Sequence, residues 1–261
     1  MRTDGPSLTA RIVAVHRAAL DRPSTPTGDP DADDRLCADL AQGFGDVGDD
    51  VFEWVAARTR FFDDEVLDAL DRGVCQIVVL GAGYDGRGLR FHTPGVTFYE
   101  VDHPHTQVDK RERLDRLAVA GNGISFAAHD LAAGGLSPAL AGAGHDAARP
   151  SLFIAEGLLR YLPEATIHEV FTATRERSAP GSRFALTFST READAVVSTE
   201  AATREAFLGD LGEHVLTVPP QATALQWLSD AGWQPELVDD VATRSKSEGD
   251  GRLLIRATLP V

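Results

Sequence analysis

The chain has 261 residues, 43% hydrophobic and 25% charged, which suits one large globular α/β domain. A formal net charge of −15 opposes nucleic acid and anionic membranes as partners, and basic clusters such as Lys110-Arg111-Glu112-Arg113 are mixed in sign. No apolar run is long enough to span a bilayer, Met1 to Pro6 lacks a signal-peptide core, and Cys37 and Cys75 form neither metal-ligand spacing nor a disulfide framework, so a reduced, cytoplasmic protein is expected.

Leu8, Ile12, Val15 and Ala19 recur at helical spacing and predict a helix over 8–20. A proline- and glycine-rich loop over 22–30 follows, then a helix over 32–40, a glycine- and aspartate-rich stretch over 43–50 expected to be mobile, and a helix over 51–70. Strands are expected over 75–80, 96–101, 124–128, 151–155 and 183–188. Between them fall helices over 85–91, 104–120, 134–141 and 163–177, with a flexible 142–144 and Pro163 in the first turn of the last helix. This alternation predicts a parallel sheet covered on both faces. Residues 190–218 interrupt it as a polar helical insertion. A helix over 221–230 and strands over 234–239 and 253–258 complete the chain. The last two strands read as an antiparallel pair, because the polar 242–251 connection has no helical pattern.

The centre of the pattern is Ile77-Val78-Val79-Leu80 followed by Gly81-Ala82-Gly83-Tyr84-Asp85-Gly86. An apolar run, a glycine turn and a helix start form a cradle for a nucleotide. Gly81, Gly83 and Gly86 fit the dinucleotide fingerprint literally, but Asp85 sets a negative charge where a pyrophosphate needs bare N–H donors. S-adenosylmethionine, which has no phosphate and carries a sulfonium and an ammonium, suits the site better. A glycine turn without any ligand is the plain alternative.

Ligands of open α/β sheets bind beyond the C-terminal strand ends. There stand Glu100-Val101-Asp102, His129-Asp130-Leu131 and Glu156-Gly157-Leu158. Three successive strands ending in acids would repel one another unless a cationic ligand intervened. An acid after the second strand can accept hydrogen bonds from both hydroxyls of a ribose. Each acid taken alone also reads as a solvated helix cap.

Leu80-Gly81-Ala82-Gly83-Tyr84-Asp85, Tyr99-Glu100-Val101-Asp102-His103-Pro104 with Lys110, and Ile154-Ala155-Glu156-Gly157-Leu158-Leu159 with Tyr161-Leu162-Pro163 together resemble the leucine carboxyl methyltransferase family, in its bacterial polyketide-tailoring type. Ala57-Arg58-Thr59-Arg60 with Asp63, and Asp29-Pro30 with Ala32, resemble it too, so the likeness covers most of residues 10–190. It implies a class I methyltransferase fold: a Rossmann-like, doubly wound seven-stranded sheet of order 3-2-1-4-5-7-6. A helical cap (1–73) would precede a cofactor-binding core (74–189), a lid insertion (190–218) and a C-terminal core (219–261). The resemblance assigns Arg58 to the cofactor carboxylate, Gly81 and the glycine turn at Gly83 to its methionine part, Asp102 to the ribose, Asp130 and Leu131 to the adenine, and Glu156 to the α-ammonium. Arg60 lies close enough to Arg58 to compete for its role.

The expected reaction is methyl transfer to a carboxylate of a small molecule, with a protein C-terminal carboxylate as the other acceptor. A carboxylate needs no base, whereas a hydroxyl acceptor would. His129 is the candidate base and Tyr161 a candidate acceptor contact, although core packing explains Tyr161 equally well. The eight histidines form no metal triad by spacing, and Ser189 lacks the glycines of a nucleophile elbow. A nicotinamide oxidoreductase and a cofactor-binding protein with non-methylating chemistry are the rival readings.

Overall fold

The computed structural model describes residues 7–42, 52–192, 199–210, 212–238 and 250–259. The continuous apolar run forms β1 (Gln76–Leu80), buried along its whole length, as a strand covered on both faces requires. It pairs in parallel with β2 (Thr97–Asp102) on one side and β4 (Leu152–Ala155) on the other. β3 (Ile124–Ala128) and β5 (Arg183–Arg191) extend the parallel sheet outward. β7 (Asp250–Thr258) runs antiparallel to β5, and β6 (Gln234–Leu237) antiparallel to β7. The order is β3-β2-β1-β4-β5-β7-β6, as the sequence pattern and the resemblance lead one to expect.

The described helices are α1 (Leu8–Ala18), α2 (Pro30–Ala41), α3 (Phe52–Asp71), α4 (Arg87–Arg90), α5 (Pro104–Arg116), α6 (Leu136–Gly142), α7 (Glu164–Glu176), α8 (Thr199–Asp210) and α9 (Gln221–Asp230). One face of the sheet buries Phe153, Phe184 and Leu186 against Leu140, Ile167, Phe171 and Leu228 of α6, α7 and α9, together with Trp233. The other buries Ile77, Val79 and Leu152 against Phe62, Val66 and Ala69 of α3. A third cluster joins Ala14, Leu36 and Leu40 of the first two helices to Leu89 and Leu114. The N-terminal helices are thus fastened to the edge of the sheet where the glycine turn emerges.

The main differences from the sequence expectation lie in the extents of β5, β7, α5 and α4. β5 and β7 are each three residues longer, because their ladder continues through Ser189–Arg252, Thr190–Gly251 and Arg191–Asp250. Gly251 permits this approach, since a Cβ there would lie 2.3 Å from Thr190 Oγ1. α5 stops at Arg116, and the chain turns at Ala118 with φ of 52°. α4 spans only four residues and leaves Asp85 outside the helix. The stretch over 43–50 lies outside the described residues. Among the described residues no histidine, cysteine or acid cluster is placed to hold a metal, and no helix is long and apolar enough to cross a membrane.

Candidate active site

β1 delivers the chain into a turn at Gly81 and Gly83, with φ of 62° and 52°. Only glycine adopts that region without strain. A Cβ at Gly81 would stand 2.8 Å from Leu158 Cδ1, and one at Gly83 2.9 Å from Ala10 Cβ. The turn is held by the end of β2, where the two Asp102 oxygens accept the Gly83 and His103 N–H groups at 2.6 Å each. Burial raises the pKa of Asp102, with those two bonds pulling it down. Lys110 adds a second tie: its Nζ donates to the Asp85 carbonyl at 2.6 Å and pairs with Glu100. Burial pushes Glu100 up to about 7, against the pull of Lys110.

Beyond the turn lies a cavity of about 250 Å³. Its walls come from the glycine turn, Asp102, the segment Glu156–Tyr161 after β4, the end of β5, one face of α1, the start of α3, Leu208 and Glu213 of the insertion, and Arg252 of β7. Glu156 is the electrostatic hub. Arg17 of α1 reaches it at 2.7 Å, Arg58 of α3 at 2.8 Å and Arg87 of α4 at 2.7 Å. Burial alone would raise its pKa, but the three guanidiniums hold it well below the usual carboxylate range.

From Glu156 the charges continue inward. Arg87, 1% exposed, also pairs with Asp63 and Asp85. Arg90 pairs with Asp63 and Asp33, and Arg22 with Asp33 and Asp34. Asp85 therefore turns inward, and its Oδ1 accepts the Arg87 N–H at 2.7 Å. A donor that a pyrophosphate would use is already taken, which disfavours a dinucleotide by a route more direct than charge repulsion.

Of the nine residues singled out from the sequence, Arg58, Gly81, Gly83, Asp102, Glu156 and Tyr161 line this one cavity. Arg60 is exposed and outside its lining. Asp130, Leu131 and His129 also lie outside the lining. Asp130 caps the short turn that follows β3 by accepting the Ala132 N–H at 2.9 Å, Leu131 packs into the core, and the His129 N–H donates to the Asp102 carbonyl at 2.8 Å. Burial raises the pKa of Tyr161, so its phenol stays protonated at neutral pH.

Arg17, Glu213 and Arg252, none of them singled out from the sequence, also stand in the cavity wall. Arg17 had a signal: it follows Ala10 and Val13 at helical spacing, a cation on the apolar face of α1. Glu213 and Arg252 had none, because they arrive from the insertion and from the last strand.

A family model described as leucine carboxyl methyltransferase matches residues 20–175. A Mycobacterium bovis protein named as an S-adenosyl-L-methionine-dependent methyltransferase is 33% identical over 205 residues, covering 77% of this chain and 65% of the relative. A similarly named protein of Mycolicibacterium vanbaalenii is 36% identical over 196 residues, covering 69% and 66%. The chain thus spans a little under two thirds of these relatives' length. A Thermobifida fusca structure described as a methyltransferase superposes with a TM-score of 0.61 at 15% identity, covering 99% of this chain and 97% of that one. Magnesium protoporphyrin IX methyltransferase from Synechocystis, solved with bound S-adenosylhomocysteine, gives 0.54 at 14% identity, covering 88% and 95%. At such identities the structures speak for the fold alone, a class I Rossmann-like sheet. The family match spans more than half of the chain, and it coincides with the glycine turn, the acids ending β2 and β4, and the helices that cover them: the chain belongs to the leucine carboxyl methyltransferase family.

Proposed function

We propose that this chain transfers a methyl group from S-adenosylmethionine to a carboxylate oxygen of a small molecule, such as a natural-product intermediate, and forms a methyl ester. One observation carries the reading. The cavity has carboxylates and a bare glycine turn together, Asp102 and Glu156 with Gly81 and Gly83, and Arg160 and Arg252 are among its lining residues as well. The donor set fits the cofactor. Each Asp102 oxygen accepts one backbone N–H and keeps a lone pair for a ribose hydroxyl. Glu156 suits an ammonium, and Arg58 or Arg17, both now paired with Glu156, suit a carboxylate.

When bound, S-adenosylmethionine supplies an electrophilic methyl group on a positively charged sulfur. The chain's own part is to bind, orient and dry the acceptor. Val13, Val55, Leu158, Phe188 and Leu208 exclude water from the cavity and strip hydration from an acceptor oxygen. Alignment of the acceptor with the methyl group is the other requirement, and it would fall to the residues lining the cavity. A carboxylate with a pKa of about 4 is already ionised at neutral pH, so no base is needed.

Glu213 is the observation that favours a second reading, a hydroxyl acceptor, because a carboxylate in the cavity wall is a possible proton acceptor. The product separates the two. Carboxylic acids incubated with methyl-labelled S-adenosylmethionine should gain a label that mild alkali releases as methanol. An alkali-stable label would mean an ether and would remove the carboxylate assignment.

A further inference from the structure

Glu213 is 3% exposed and lies in the cavity wall. Among the described residues it has no ion-pair partner, and its side chain has one hydrogen bond, from Ser7 Oγ at 2.6 Å. That hydroxyl is itself committed, since it also accepts the Ala10 N–H at 3.1 Å as the N-cap of α1. A buried carboxylate with one neutral donor and spare lone pairs is costly unless another donor arrives.

Its position is fixed from three sides. The Glu213 N–H donates to the Leu208 carbonyl at 2.9 Å, and the N–H groups of Leu216 and Thr217 donate to the Arg160 carbonyl at 2.8 and 3.2 Å. Thr217 Oγ1 donates to the Leu162 carbonyl at 2.7 Å. The end of the insertion is therefore clipped to the segment carrying Tyr161, where burial raises the phenol's pKa, Arg160 pulls it down and Glu213 is near enough to push it up by less. Trp54 and Leu208 line the same cavity and favour an apolar body.

We propose that Glu213, beside Tyr161, is a subsite for a hydrogen-bond-donating group, hydroxyl or ammonium, that the acceptor carries in addition to the oxygen that receives the methyl group. The inference rests on the proposed function in taking this cavity as the acceptor's. It adds a chemical class: the acceptor is a hydroxy or amino acid rather than a plain hydrocarbon acid. Arg160 and Arg252 serve its anionic end, and Glu213 its donor.

The test is binding, not turnover. Hexanoate and octanoate, and their 2- and ω-hydroxy and amino derivatives, are titrated into the full chain saturated with S-adenosylhomocysteine. At least one substituted acid should bind wild type more tightly than its parent and lose about tenfold or more in Glu213→Ala, as expected for a hydrogen bond to a charged group. The parent acid, which has no donor to offer Glu213, should change less than about twofold. Ser7→Ala, which keeps the carboxylate, should keep the preference, and S-adenosylhomocysteine should bind all variants alike. Glu213→Gln separates the sources: a hydroxyl retains a neutral acceptor, whereas an ammonium loses its counter-charge. Wild type that binds no substituted acid better than its parent, or a Glu213→Ala that weakens parent and substituted acids alike, overturns the subsite. Failure of the acids to give an alkali-labile ester would instead sink the carboxylate reading and leave the binding result standing.

Discussion

Replacing Glu156 with glutamine tests the electrostatics of the site at its hub. The side chain is 4% exposed and meets Arg17, Arg58 and Arg87 within 2.8 Å. Glutamine keeps the shape and removes one negative charge from three buried guanidiniums, of which Arg87 keeps direct ion pairs with Asp63 and Asp85 and Arg17 a more distant attraction to Asp85. Breaking a buried ion pair from one side costs about 3–5 kcal/mol. For a chain of this size that lowers the melting temperature by roughly 6–20 °C, at about 2–4 °C per kcal/mol. Urea unfolding should show a lower midpoint with an unchanged slope. Cofactor binding should suffer separately. Loss of a charged hydrogen bond to an ammonium is worth about 1.5–3 kcal/mol, so S-adenosylhomocysteine should bind roughly tenfold to over a hundredfold more weakly by calorimetry.

The acid limb supplies an internal check on the same residue. The folded-state pKa of Glu156 is depressed, so its stabilisation is complete above the ordinary glutamate value of 4.5 and is lost as pH falls below it. The glutamine variant should lose less stability than wild type over that acidic range. A variant with wild-type midpoint, wild-type acid sensitivity and wild-type S-adenosylhomocysteine affinity would refute the description of Glu156 as the hub.

Further outcomes follow from other residues. Asp102→Ala should weaken S-adenosylhomocysteine by roughly tenfold to over a hundredfold, by loss of charged hydrogen bonds, with calorimetry on the folded variant as the check. Lys110→Met should cost about 3–5 kcal/mol in denaturant unfolding, because it strands Glu100 at 2% exposure; adding Glu100→Gln should recover much of that loss. Leu208→Ala should raise the acceptor KM while leaving S-adenosylhomocysteine affinity nearly intact, since Leu208 comes from the insertion rather than from the strand ends. Equal damage to both would contradict that division.

Much of this architecture is legible in the chain because it is local. Val78, Val79 and Leu80 announce a strand buried on both faces, and Gly81 and Gly83 announce the turn, since no neighbour elsewhere in the chain is needed to read them. Asp102 and Glu156 follow from topology, because parallel strands bring their C-terminal ends to one edge. Asp85 shows where local reading stops. The pattern set it at a helix start facing a ligand, but α4 is too short, and Arg87, two residues on, draws its carboxylate inward. Arg17 joins Glu156 through the packing of α1 over the turn, a contact between residues 139 positions apart that no periodicity encodes. Glu213 depends on the insertion folding back onto Arg160 and Leu162. Asp130 and His129 occupy a strand end like Asp102, yet the former is spent on a cap and the latter lies outside the cavity lining.

The most direct test of methyl transfer to a carboxylate is the single-turnover methylation rate from about pH 6 to 9, measured with saturating acceptor. A carboxylate of pKa about 4 is anionic throughout that range and needs no base, so the rate should be nearly flat. A phenol of pKa about 10, or an alcohol, would show a rate climbing about tenfold per pH unit, or an inflection from a base near neutrality. A flat profile with an alkali-labile product is the predicted result; a climbing profile with an alkali-stable product would contradict it.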